Sequence, residues 1–190
     1  LSLRLDVDVR YVSSIDYSAV VTAFSNGYIH LAWFGGFAGV QARVAVKGAK
    51  AIAQRSMDQN FRSVFIVHAQ MTAQSLSDLQ NTSFTFGSES STSGHLMRRY
   101  FLLEEGIKAE EDFRGLPNFS GSHDRTWKLV ESGAFDAGVL NKAVWDKAVA
   151  EDKVSLDKVR VLKVTDPYYD YNWTVRPDLD QHFGDGFTDN

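Results

Sequence analysis

Strand-like and helix-like stretches alternate along almost the whole chain, and one helix-to-strand step is written twice in the same form. "AVVTAFSNGYIHLAWFGG" reads as a helix, an X-Gly stop and a strand, and "TWKLVESGAFDAGVLNK" repeats that grammar. Regular alternation of this kind predicts an α/β fold with largely parallel sheets. Two units of like construction predict two lobes. At 190 residues the chain is long enough to bury a core for both.

The individual elements follow from periodicity. Residues 7–12 alternate apolar and polar and predict a half-buried strand. "DYSAVVTAFSNG" predicts a helix ended by Asn26-Gly27. Strands are expected over 28–34, near "KAIAQR", over 61–69, and at "TSFTFGS", "AFDAGVL", "KVRVLKV" and "YNWTVRP". Helices are expected at "FAGVQARVAV", over 94–105, and at "HDRTWKLVESG" and "NKAVWDKAVAED", with a short turn at "SLSDLQ". The charged stretch "EEGIKAEEDFRG" reads as a solvated loop.

Composition closes several function classes. The net charge of −4 argues against a broad nucleic-acid footprint. The absence of cysteine removes disulfides, thiol catalysis and Cys-zinc sites. No His and carboxylate grouping has metal-ligand spacing, so neither metal nor cofactor is expected. His30 and His68 lie in apolar strands and read as structural.

The junctions between strands and helices carry the chemistry. In "TFGSESSTSGHLM" a strand gives way to hydroxyls at Ser90, Ser91, Thr92 and Ser93 just before a helix. A helix N-terminus has free N–H groups and about half a positive charge, so hydroxyls there make an oxyanion cradle. The plainer reading is an N-cap, which needs one hydroxyl; the sequence leaves both open. "NFSGSHDRTWKLV" puts Ser120, Ser122 and His123 at a second helix start, and "SSIDYSAVV" puts Asp16 and Tyr17 at a third. Three such junctions, each at the end following a strand, suit an α/β ligand site. Tyr168, Tyr169, Asp170, Tyr171, Asn172 and Trp173 form a polar-aromatic cluster that reads as a pocket wall or interface. A serine hydrolase using Ser91 or Ser93 with His123 and Asp170, or with His95 as base, is the alternative. It lacks a Gly-x-Ser-x-Gly elbow.

"DYSAVVTAFSNGYIHLAWFGG", "FGSESSTSGHLM", "GSHDRTWKLVESGAFDAGVLNKAVWD" and "PYYDYNWTVRPDL" together resemble the periplasmic phosphate, phosphite and phosphonate-binding proteins of ABC importers, in particular a subgroup labelled as selenate-binding. The resemblance implies a two-lobed periplasmic binding protein of type 2, with crossing strands near 61–69 and 171–177. It implies lobe 1 at 1–68 plus 171–190 and lobe 2 at 69–170. The ligand would be a small tetrahedral oxyanion, the partners would be membrane permease subunits, and the location would be the periplasm or a lipid anchor outside the cytoplasmic membrane. A sensor domain of the same fold is the other role it allows.

By this resemblance the ligand-binding residues are Tyr17, Phe61, Ser91, Thr92, Ser93, His123 and Asp170. Phe61 stands where Tyr is common. A pocket acid is replaced near Asn141 to Ala143, which implies a smaller anion than an aminoalkylphosphonate. Arg98 stands where Pro is usual. Relatives carry further segments on both sides, so the chain is expected to be a portion of a longer protein.

Overall fold

A computed structural model describes residues 2–189. The chain forms two sheets, and in each of them one strand runs against its neighbours. After a short helix α1 (Ser2–Leu5), helix α2 (Tyr17–Ser25) starts at Asp16, whose carboxylate accepts from Ala19 N at 2.7 Å. It ends at Gly27, where φ is +79°, a backbone state that favours glycine. Strand β1 (Leu31–Phe34), helix α3 (Gly36–Ala45) and strand β2 (Lys50–Ala53) follow. Strand β8 (Asn172–Val175) lies between β1 and β2, antiparallel to both. Phe24, Phe34, Ala38 and Ala42 are fully buried between α2, α3 and this sheet.

The larger sheet has the order β5-β4-β6-β3-β7. Its strands are β3 (Ser63–His68), β4 (Phe84–Phe86), β5 (Asn118–Phe119), β6 (Ala137–Asn141) and β7 (Val159–Val164). β4 runs parallel to β5 and β6, whereas β3 is antiparallel to β6 and β7. β3 is apolar on both faces because both are covered. Phe65 and Val67 join one core with Leu76, Phe84 and Leu102, while Val64 and Ile66 join a second with Trp127, Leu140 and Trp145. Helices α4 (Met97–Glu104), α5 (His123–Glu131) and α6 (Lys142–Ala150) pack around this sheet, and α7 (Asp178–Phe183) follows β8.

Several sequence expectations change. Residues 7–12 form no strand; Tyr11 and Val12 are exposed, and alternation without a partner strand leaves nothing to pair with. The strand expected over 28–34 shortens to Leu31–Phe34. Sheets expected to be largely parallel contain the antiparallel β3 and β8, the two strands that the chain enters directly from a crossing between the sheets. β3 was expected on the lobe 1 side of a boundary at 68, yet it is an inner strand of the larger sheet. The charged loop is not only surface: Ile107, Ala109 and Phe113 drop from it into the first core.

The two sheets are joined by paired crossing segments. Phe61 and Tyr168 exchange backbone hydrogen bonds at 3.0 and 2.9 Å, and Asp170 N donates to Asp58 O at 3.0 Å. Asp58 is fully buried and is held by Arg55 through two contacts of 2.6 and 2.9 Å. β3 and β8 begin just past these pairs.

Gly138 in β6 lies close against α5 and β4. A Cβ there would meet Thr126, Thr85 and Val130 methyls, each at 3.0 Å. All three are β-branched and buried, with little rotamer freedom. Gly138→Ala is therefore expected to destabilise the chain by about 1–3 kcal/mol. Urea denaturation of both proteins measures this, and an unchanged midpoint would mean that α5 can move away at no cost.

Candidate ligand-binding site

β4 ends at Phe86, and the chain then turns so tightly that Gly87 N donates to Gly94 O at 2.8 Å. Ser91 is the N-cap, its Oγ accepting from Gly94 N at 2.8 Å. The first turn is π-helical over Thr92–Leu96: Leu96 N donates to Ser91 O and Met97 N to Thr92 O, five residues back in each case. α4 continues from it. The predicted helix over 94–105 thus has a wide first turn.

This geometry sorts the hydroxyls. Ser90 Oγ meets Ser18 Oγ at 3.0 Å on the exposed rim. Ser91 makes the cap. Thr92 Oγ1 accepts from Phe37 N at 2.7 Å. Ser93 Oγ is buried and has no hydrogen-bond partner. The Tyr168 phenol lies beside it, but that hydroxyl is engaged by Ser63 Oγ at 2.6 Å. One residue caps and three do something else.

At the second junction, Ser122 caps α5 by accepting from Arg125 N, and His123 is the first helical residue. A Cβ on Gly87 would lie 3.6 Å from His123 Nδ1, so the imidazole sits against the first junction. Asn141 N points at His123 Nδ1 from 3.5 Å. Nδ1 is then the acceptor and Nε2 carries the proton. Burial, and after it the charge of Arg98, pulls the imidazole down to about 3, so it is neutral at physiological pH. A neutral Nε2–H donates to an anion and takes no proton from a serine.

The third junction brings Tyr17 in, its hydroxyl 2.8 Å from that of Tyr171. Phe61 packs against Tyr168 and Tyr171, with centroids 5.8 Å away in each case, and offers no hydroxyl. Trp33 also stacks on Tyr171.

A fourth junction, at the start of α3, was not singled out in the sequence. Gly36 N donates to Asp170 Oδ1 at 2.8 Å, next to the Phe37 N–H held by Thr92. The positive end of α3 thus receives one carboxylate and one hydroxyl from across the crossing. A Cβ on Gly35 would lie 3.5 Å from both Asp170 Oδ1 and Thr92 Oγ1 and 3.7 Å from Tyr17, so these three side chains meet there. The signal was present: "WFGGFAG" is also a strand, a glycine turn and a helix start. Burial pushes the Asp170 carboxyl above the usual carboxylate range, partly offset by Gly36 N–H and the Thr92 hydroxyl. Its Oδ2 is buried without a partner.

The hydrolase arrangement is absent from this geometry. Ser91 Oγ is the cap, Ser93 Oγ has no base beside it, and His95 is turned away. His95 Nδ1 lies 2.6 Å from Glu89 O, while Nε2 accepts from Arg99 Nε.

One buried charge near these residues was noted in the sequence only for standing where Pro is usual. Arg98, in the first turn of α4, is completely buried, and its Nη1 donates to Val139 O. Burial pulls it down to about 9, still charged at neutral pH, and its charge acts on Tyr168, Asp170, Tyr17 and His123. The departure from proline at this position was the signal that could have found it.

Residues 1–189 match the family described as ABC transporter, phosphonate, periplasmic substrate-binding protein. The chain belongs to that family. It is 45% identical over 195 residues to a probable ABC transporter phosphite binding protein, PhnD1, of Prochlorococcus marinus (strain MIT 9301), covering 99% of this chain and 65% of the relative. It is 32% identical over 142 residues to the phosphate-import protein PhnD of Mycolicibacterium smegmatis, covering 68% of this chain and 44% of the relative. The chain therefore spans less than two thirds of the length of either protein. The solved structure of Prochlorococcus PhnD1 in complex with methylphosphonate superposes with a TM-score of 0.88 at 44% identity, covering 99% of this chain and 71% of that one. The fold is that of a two-lobed periplasmic binding protein of type 2.

Proposed function

We propose that this family member captures a small tetrahedral oxyanion between its lobes and delivers it to the permease subunits of an ABC importer. In this reading lobe 1 is built on the β1-β8-β2 sheet and lobe 2 on the five-stranded sheet, with crossings near 54–62 and 165–171. One observation carries the reading. Ser93 Oγ and Asp170 Oδ2 are buried polar atoms left without partners where the helix starts converge. Buried polar groups of this kind are almost always satisfied, and a ligand bearing both acceptors and a P–OH would satisfy them.

The PhnD1 relatives support phosphite or methylphosphonate over larger anions. Ser91 to Ser93, the neutral His123 Nε2–H and Tyr17 supply donors, while Asp170 accepts from a protonated ligand oxygen. Phe61 is a wall rather than a donor. Lobe closure is held by the two bonds from the start of α3, and their loss opens the cleft. A periplasmic or lipid-anchored location follows from the same role.

Calorimetry with phosphate, phosphite, methylphosphonate, selenate and sulfate tests the proposal. Saturable binding of at least one phosphorus oxyanion is expected. No heat from any of the five would overturn it, and binding without any transport defect on deletion would favour a sensor of the same fold.

A further inference from the structure

The Arg98 guanidinium is fully buried, and among the described residues no carboxylate forms an ion pair with it, although the charge of Asp170 reaches it. Nη1 is used by Val139 O; Nε and Nη2 have no partner. A buried charge in this condition is costly and calls for a counter-charge. Among the described residues, the other unpartnered buried side-chain atoms are Ser93 Oγ, Asp170 Oδ2 and Trp127 Nε1. Trp127 belongs to the core under α5. The rest belong to the site.

Helix geometry explains why Arg98 is there. Arg98 lies in the first turn of α4, directly after the π turn over Thr92–Leu96, and so about one helical turn beyond Ser93. Helical side chains lean back toward the N-terminus, which carries the guanidinium under the Ser91 to Ser93 turn. Its one partner, Val139 O, lies just past Thr85–Gly138, the last pair between β4 and β6. Val139 is the middle residue of β6, one position beyond the point where the parallel β4–β6 ladder ends.

We propose that Arg98 is the charged donor of the oxyanion site, its Nε and Nη2 binding an ionised oxygen of the ligand while Asp170 Oδ2 accepts from a protonated one. The two groups together define the ligand as a tetrahedral anion with at least one ionised oxygen and one P–OH. A guanidinium fork suits this role because two parallel N–H groups match the oxygens of such an anion. All of these atoms are shielded from solvent in the closed arrangement, so the ligand reaches them when the Asp170–Gly36 and Thr92–Phe37 contacts part. The inference rests on the oxyanion reading.

Arg98→Met tests it by calorimetry with methylphosphonate, next to the unaltered chain. The expected result is a loss of affinity of roughly tenfold to a hundredfold, with thermal stability unchanged or raised. A loss of less than roughly tenfold, or tighter binding because the guanidinium obstructed the site, would overturn it. If Arg98→Met does not fold, the Nε–H resonance of Arg98 is followed by NMR in the unaltered chain, assigned with Arg98→Lys. A shift at saturating methylphosphonate supports the proposal and an unmoved resonance overturns it. Should the unaltered chain bind no oxyanion, the functional reading fails first and this inference with it.

Discussion

Gly94→Ala is expected to weaken oxyanion binding by roughly a hundredfold. Gly94 sits where the helix start folds back on β4, and a Cβ there would lie 2.7 Å from both Cβ and Oγ of Ser91 and 3.2 Å from Ser88 N. No real Cβ tolerates such contacts, so the Ser91 cap or the turn itself has to move. The displaced atoms are the ones that matter. Ser91 Oγ loses Gly94 N, Gly87 N loses Gly94 O, and Ser93 Oγ no longer points where the closed lobes leave it unpartnered. Loss of two or more charge-assisted donors corresponds to roughly a hundredfold in affinity. The overpacking adds about 1–3 kcal/mol of destabilisation. Calorimetry with methylphosphonate gives the first number and a urea titration the second. Retained affinity would mean that the turn does not hold the anion.

The same turn shows how far the sequence could be read. Helix starts, strand runs and the strand-to-helix grammar were legible because they depend on local periodicity and caps. A cap somewhere in the serine run and His123 at the head of α5 are of this kind. What separates Ser91 from Ser93 is not local. Both are serines in one helix start, and only the closure of the turn onto Gly87 makes the first a cap and leaves the second free. Asp170 likewise reads as one acid in an aromatic cluster until the crossing segments bring it to Gly36. The antiparallel direction of β3 and β8 was invisible to periodicity because a buried strand has the same pattern in either direction. Arg98 was hidden by its charge: an arginine in "LMRRY" reads as solvated, and only the π turn carries it inward. Residues 7–12 failed in the opposite sense, since alternation signals a strand only where another strand is in reach.

Asp170→Asn is expected to reverse the preference between protonated and fully ionised anions. In the native site Asp170 Oδ1 holds Gly36 N–H, and Oδ2 is free to accept a proton-bearing ligand oxygen. An ionised carboxylate there repels sulfate and selenate, which carry no proton at neutral pH, so discrimination rests on a repulsive element. An amide keeps the acceptor for Gly36 and presents an N–H₂ instead. Sulfate and selenate are then expected to bind roughly tenfold tighter or more. Methylphosphonate loses the acceptor for its P–OH and weakens. Stability supplies an independent readout with a definite sign. Burial raises the Asp170 pKa in the folded chain, with Asp58 adding to the rise and Arg98 opposing it. The folded state then holds the proton more tightly than the unfolded one. This contribution grows as pH falls through the raised value, is complete below the ordinary carboxylate range and is lost as pH rises. Asn mimics the protonated form at every pH, so the variant is expected to exceed the native chain in stability at about pH 8 and to match it near pH 4. Many other acids titrate in the acid limb, Asp78, Asp136 and Asp180 among them, so the quantity to plot is the difference between the two proteins. A pH-independent difference would mean that Asp170 is ionised at no cost, and an unchanged ratio of sulfate to methylphosphonate affinity would remove it from the site.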